Sequence, residues 1–241
     1  MRPKLDLIIG GDGLAGALLA LLAARLRPEL RVMLISADAE SGGRQPELLF
    51  TARLATHVRA ALDPAIVREW PACTISRSGQ SEHHVEPVAL LDPAQVALEL
   101  ADLLPADVLV TGCRNLSVKD GVVQWHAGAA TAATVFSLPP RTGRKDTMGE
   151  ANWLGDLREP VVADFDAGGD QWSYLQYVPL GGGVTLISRI SAADDPVRPN
   201  ELPPSVTALT GLIGQFCACL ESGILRADTP PGAAIRTPEC R

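Results

Sequence analysis

The chain has 241 residues, enough for one large domain or for a nucleotide-binding domain with a smaller companion. Hydrophobic residues make up 46% and charged residues 20%, the balance of an ordinary globular protein. A net charge of −7 with only 4% aromatics excludes broad nucleic-acid binding, because it implies neither a basic surface nor a stacking platform.

Leu5 to Gly10 is an apolar run that reads as a strand. A glycine turn follows, Gly11-Asp12-Gly13-Leu14-Ala15-Gly16, then a helix from Leu14 to Leu26 and a second strand from Val32 to Ile35. This order is the setting that a dinucleotide-binding fingerprint needs. In it, Gly11 allows a tight turn, Gly13 lets a pyrophosphate approach the backbone, and Gly16 lets the helix pack close to the sheet. The first helical amides face the phosphates, with the positive end of the helix dipole behind them.

Two residues depart from the pattern. Asp12 sets a carboxylate near the pyrophosphate's negative charge. The second strand ends in Ser36, where an acid would accept hydrogen bonds from the ribose; Asp38 and Glu40 are the nearby substitutes. A Rossmann-type βαβ unit is expected, and a fold that has weakened or lost its ligand stays open.

The apolar N-terminal stretch is interrupted by Asp6 and by the glycines, which does not fit a secretory signal. No segment has the roughly 20 apolar residues that span a bilayer. A soluble, cytoplasmic protein is expected, with contact at the inner face of the membrane left open. Arg25 and Arg27 close the first helix and Pro28 ends it. Ser41-Gly42-Gly43-Arg44 follows the second strand, where many flavin-binding Rossmann proteins carry a Gly-Gly; as a dipeptide it is equally a flexible turn.

Residues 47 to 70 are expected as helix, broken at Asp63-Pro64. Thr74 to Ser76 and His84-Val85 are short strands around a polar turn, and the adjacent His83 and His84 diverge, so they share no metal. Asp92 caps the next helix, Pro93 takes its first position, and Val96, Leu98, Leu100 and Leu103 or Leu104 are its apolar positions. A short strand at Val108 to Val110, a hairpin around Lys119-Asp120-Gly121 and a strand from Ala132 to Leu138 come next.

Residues 139 to 152 are proline-rich, polar and basic, a loop or a domain boundary. Val161 to Phe165, Trp172 to Val178 and Val184 to Ser188 read as antiparallel strands, forming either the floor of a substrate region or a simple packing sheet. A polar connection, Asp194 to Pro204, leads to a helix from about Ser205 to Leu220 with Val206, Leu209, Leu212, Ile213 and Phe216 on its apolar face. The tail from Asp228 is disordered or extended. The five cysteines are odd in number and lack framework spacing, which argues against a secreted disulfide scaffold; Cys217 and Cys219, two apart on a helix and so on different faces, are expected as packing residues and not as a metal pair.

The expected fold class is α/β: an FAD/NAD(P)-binding Rossmann-type domain over residues 1–140, an antiparallel-sheet region with a closing helix over 150–225, and a flexible tail over 226–241.

Taken in order, these stretches resemble the bacterial lycopene β-cyclases, FAD-dependent flavoproteins of carotenoid synthesis. The matching pieces are Leu5 to Gly16, Arg31 to Ile35 with Gly42-Gly43, the helix after Asp92, Pro160 to Asp164, and Tyr174-Leu175-Gln176-Tyr177-Val178-Pro179-Leu180. The resemblance implies FAD, with NAD(P)H as reductant, and an apolar polyene substrate, lycopene. It implies an isomerase-type reaction without net redox change: a carboxylic acid protonates the polyene end, the carbocation closes a ring, and a proton leaves. It carries cofactor contacts onto Gly11, Gly13, Gly16, Ser36, Asp38, Gly42 and Gly43, and the catalytic acid onto Asp156, with Glu159 a second candidate. No metal is implied.

The departures fall on functional positions. Arg44 to Glu47 replace an Asn-His and aromatic-rich segment, and Phe136 to Pro139 replace an Asp-x-Arg-Gly-like turn. Ser188-Arg189 replace an acidic pair, and a later glycine-rich flavin contact is not found. These losses predict weak or absent activity. Two further readings remain, another FAD-dependent monooxygenase or oxidoreductase on an apolar substrate, and a non-catalytic Rossmann-fold partner protein.

Overall fold

A computed structural model describes residues 5–11, 13–77, 79–119, 121–138, 143–152, 157–165, 173–192, 204–222 and 233–236. Strand β1 (Leu5–Gly10) is buried at every position and runs into helix α1 (Gly13–Leu26). Strand β2 (Val32–Ile35) returns parallel to β1, which completes the expected βαβ unit. At the open end of this pair, Arg31 forks onto the Asp6 carboxylate, with Nε to Oδ2 at 2.9 Å and Nη2 to Oδ1 at 3.0 Å. The Arg25 guanidinium donates to Ala61 O at 2.6 Å and to the Glu99 carboxylate.

Residues 47–70 depart from the expected helix. They form strand β3 (Glu47–Phe50), helix α2 (Thr56–Leu62) and strand β4 (Ile66–Trp70), with short 3-10 turns between them. The reason lies in what each side chain faces. Leu48 and Phe50 enter one core while Leu49 enters another, which is the two-residue period of a strand. In the sequence the run of three apolar residues hides that alternation.

Strands β5 (Cys73–Arg77) and β6 (Gln80–His84) form the expected hairpin, and β7 (Val88–Leu91) pairs antiparallel with both β3 and β4. Helix α3 (Pro93–Leu103) starts as expected, with Asp92 Oδ1 accepting from the Ala94 N–H at 2.9 Å. Val96 and Leu100 are buried, but Leu98 is 62% exposed, so the apolar stripe of α3 is narrower than expected.

Strand β8 (Leu109–Val110) extends the first sheet beside β2. Strands β9 (Ser117–Lys119) and β10 (Val122–Trp125) form the hairpin. Strand β11 (Gly128–Ser137) is shared: its first half pairs antiparallel with β10 and its second half runs parallel to β1.

Strand β12 (Gly143–Asn152) takes much of the stretch expected as a loop, and this corrects the sequence reading. It is an edge strand, and an edge tolerates a polar, charged sequence that a central strand would not. Strands β13 (Val161–Asp164), β14 (Ser173–Gly181) and β15 (Val184–Ala192) form the expected antiparallel set. The second sheet has the order β12-β15-β14-β13-β5-β6, so it recruits a hairpin from the first half of the chain. Its inner face packs on the β3-β7-β4 sheet around Phe50, Trp70, Tyr174 and Val178.

Helix α4 (Pro204–Glu221) lays Leu209, Ile213, Phe216 and Leu220 against the leucines of α1. With β1, β2, α2 and α3 contributing to the same core, α1 is enclosed almost all round, which explains its apolar circumference. Strand β16 (Ala233–Arg236), inside the stretch expected as tail, pairs parallel with β11. Asp12, Asp156, Trp172 and the connection 193–203 lie outside the described residues.

Candidate functional site

The site is built where β1 turns into α1. Gly13 has φ +67° and Gly43 has φ +76°, a backbone region that disfavours a side chain. The two glycines also meet: a Cβ on Gly43 would stand 2.8 Å from Gly13 Cα and 2.9 Å from Leu14 N. A Cβ on Gly42 would stand 2.0 Å from Pro93 O at the start of α3. Leu138 closes the turn from the far side, its N–H donating to Gly10 O at 2.7 Å. Its side chain lies against Gly11, where a Cβ would come within 2.5 Å of Leu138 Cδ1. Gly16 is less constrained, since a Cβ there would make ordinary contacts of 3.5 Å with Gly11 O and Leu34 Cδ1.

The turn after β2 is pinned by its backbone. Ser36 N–H donates to Val110 O at 2.8 Å, Cys113 N–H to Ser36 O at 2.9 Å, and Gly112 N–H to Asp38 O at 2.7 Å. Ser36 is 1% exposed, and its hydroxyl accepts from the Asp38 N–H at 3.2 Å. Its side chain therefore shapes the turn. Asp38 is half-buried and aims at the glycine turn, with Oδ2 3.6 Å from where a Gly13 Cβ would stand. Glu40 is exposed.

These residues fit the dinucleotide that the fold implies. Gly43 meets the start of α1 through bare backbone, the first turn of the helix holds no acid, and its first amides have no intrahelical acceptor. That donor set suits a pyrophosphate. Of Ser36, Asp38 and Glu40, it is the Asp38 carboxylate that lies beside the glycine turn.

Of the two acids expected in catalysis, Asp156 lies outside the described residues. Glu159 sits at the β5–β6 side of the second sheet, where its Oε1 accepts from Thr74 Oγ1 at 2.5 Å and faces His83 Nδ1 at 2.8 Å. His83 and His84 diverge as expected, His84 lying 3.5 Å from Glu82. No three metal-ligating side chains cluster among the described residues.

Sequence reasoning missed a further acid, Asp164, which accepts a hydrogen bond from Tyr177. Burial pushes the Tyr177 phenol above its ordinary value, and the Asp164 charge and hydrogen bond add to the rise. The sequence signal was there, an acid ending one strand and a tyrosine in the next, but it does not reveal the register. A groove of about 670 Å³ lined by Thr51, Arg59, Asp63, Glu69 and Trp70 shares none of these residues. Its charges pair with one another, Arg59 with Glu69 at 2.9 Å and with Asp63.

No family model matches the chain. Over 71 residues, 30% of this chain and 19% of the relative, it is 34% identical to a lycopene beta-cyclase from Pantoea ananas. The flavin-dependent brominase Bmp2 superposes with a TM-score of 0.51 at 13% identity, covering 86% of this chain and 60% of the brominase. A flavoprotein/dehydrogenase from Cytophaga hutchinsonii has a TM-score of 0.49 at 13% identity, over 89% of this chain and 63% of that one. The chain thus spans under two thirds of each of these proteins. Its fold is that of the FAD-binding Rossmann-type flavoproteins, and over the matched stretch it resembles lycopene β-cyclase.

Proposed function

We propose that the chain is a lycopene β-cyclase-like flavoprotein that takes FAD at the start of α1 and handles an apolar polyene, with cyclisation weak or lost. The observation that carries this reading is the close approach of Gly43 to Gly13 and Leu14 N, a cradle of bare backbone in a flavoprotein fold. The 71-residue likeness to a lycopene β-cyclase supports the choice of substrate class.

In this reading the first amides of α1 hold the pyrophosphate and Asp38 accepts from the ribose hydroxyls. Reduced flavin, when bound, supplies negative charge beside a developing cation, and NAD(P)H is its reductant. The residues of the second sheet, β5 and β6 included, form the substrate region. Glu159, held by Thr74 and His83, is the acid available there, and Asp156 is the acid that the resemblance names. A polyene dissolved in lipid calls for contact with a membrane surface; no helix among the described residues is long and apolar enough to cross one.

A second reading, another flavin oxidoreductase acting on an apolar substrate, is favoured by Ser188 and Arg189 in place of an acidic pair. The spectrum of the purified protein and its product in lycopene-accumulating cells test both. Flavin absorbance with no β-carotene is the expected result. Abundant β-carotene contradicts the lost activity, and a colourless protein that binds neither FAD nor ADP overturns the flavoprotein reading.

A further inference from the structure

The second sheet has an outer face that the nucleotide cradle does not use. On β14, Tyr174 and Val178 enter the inner core, so Leu175 and Tyr177 belong to the opposite face. On β15, Leu186 and Ile190 point inward, leaving Ile187 and Arg189 outward. Register places Val161 beside Tyr177 and Asp164 beside Leu175. The outer face therefore has an apolar, half-buried floor of Val161, Leu175 and Ile187 with one carboxylate–phenol pair set into it.

Arg189 shares this face and is the charge that would oppose a cation. It pairs with Leu175 from the other side, which puts it two strands away from Asp164, roughly 10 Å by strand spacing. The two groups also lean apart. Arg189 Nη2 donates to Ser173 Oγ at 3.1 Å, toward the start of β14, whereas Asp164 bonds Tyr177, toward its end. Arg77 is stacked 4.2 Å over the Phe165 ring. The end of the floor near Tyr177 thus joins negative charge to an aromatic ring, the combination that attracts a cation with an apolar body.

We propose that this face binds a lipophilic cation, an apolar chain that carries or develops positive charge, with the Asp164 carboxylate and the Tyr177 ring as its counter-group. The inference deepens the proposed function and rests on it for the natural ligand, a polyene end as it becomes cationic. The binding itself needs no flavin.

The test titrates the full chain with decyltrimethylammonium and, separately, with decanol, followed by calorimetry. The cation is expected to bind about tenfold more tightly than the alcohol. Asp164→Asn should erase that preference and leave decanol binding unchanged, and Tyr177→Leu should reduce it. Equal binding of the two probes, binding of neither, or a preference that survives Asp164→Asn overturns the proposal. Survival would trace the preference to the net charge of −7, which the variant barely alters. Should Asp164→Asn fail to fold, Tyr177→Leu decides: an undiminished preference overturns the proposal. Flavin content is read separately, so failure here leaves the cyclase reading to its own test.

Discussion

Gly43 and Gly13 meet backbone to backbone, each in the left-handed region, with room between them for no side chain. Gly43→Ala therefore forces the loop away from α1 and strains its own φ. The expected cost is about 1–3 kcal/mol, read as a lower urea midpoint. Gly211→Ala is the matched control on the exposed side of α4, where a Cβ meets nothing within 4 Å. It should stabilise the protein by up to about 1 kcal/mol, because glycine is a poor helix former. If both variants behave alike, the close approach at Gly43 is wrong.

Asp38 and Glu40 should separate in nucleotide binding. Asp38 is held at the cradle by the Ser36 hydroxyl and the Gly112 N–H, whereas Glu40 is exposed. Asp38→Ala is expected to weaken ADP or FAD binding about tenfold, the value of a hydrogen bond to a charged group. Glu40→Ala should leave it unchanged. Calorimetric titration decides, and a larger loss in Glu40→Ala would reassign the ribose contact.

Phe50 N–H donates to Thr210 Oγ1 at 3.3 Å, so a helix side chain satisfies the outer edge of β3. Both residues are buried. Thr210→Val keeps the shape and leaves the amide without an acceptor. A loss of about 1–3 kcal/mol is expected in denaturant unfolding. Thr210→Ser, which keeps the hydroxyl, should recover most of it.

Two buried thiols are expected to lower stability at high pH. Burial, with smaller contributions from the Glu86 and Glu159 charges, pushes the Cys73 thiol up to about 12. Burial and the Glu221 charge push Cys217 up to about 11. An unfolded thiol titrates near about 8.5. Between those values the unfolded chain has lost protons that the folded chain keeps, so unfolding gains on folding as pH rises. Urea midpoints should fall from about pH 9 upward, and neither thiol should react with a thiol reagent before unfolding. Rapid labelling of Cys73 in the folded protein would show that it is not enclosed.

Much of the cradle was legible because its signals are local. Gly11, Gly13 and Gly16 follow an apolar run and open a helix, and Asp92 with Pro93 marks another helix start within two residues. The hairpins announced themselves through turn residues between apolar pairs. Which of Ser36, Asp38 and Glu40 lies beside the glycine turn was not legible. It depended on hydrogen bonds from Gly112 and Cys113, residues of a loop far along the chain. Asp164 was hidden for a related reason, since only the register of β13 on β14 brings it to Tyr177.

Local signals suffice for the βαβ unit, the helix starts, the antiparallel set and the close-packed glycine turn. Each rests on backbone conformation, capping or periodicity within a few residues. Distant packing sets Leu48 and Leu49 facing different cores, which makes their segment a strand. Distant packing also lays the polar stretch 143–152 along β15 as an edge strand and brings the Asp38 carboxylate beside the glycine turn. In each case the deciding partner lies far off in the chain, so nearby residues do not encode the outcome: a strand needs the strand beside it, and a carboxylate takes its role from the groups brought to meet it.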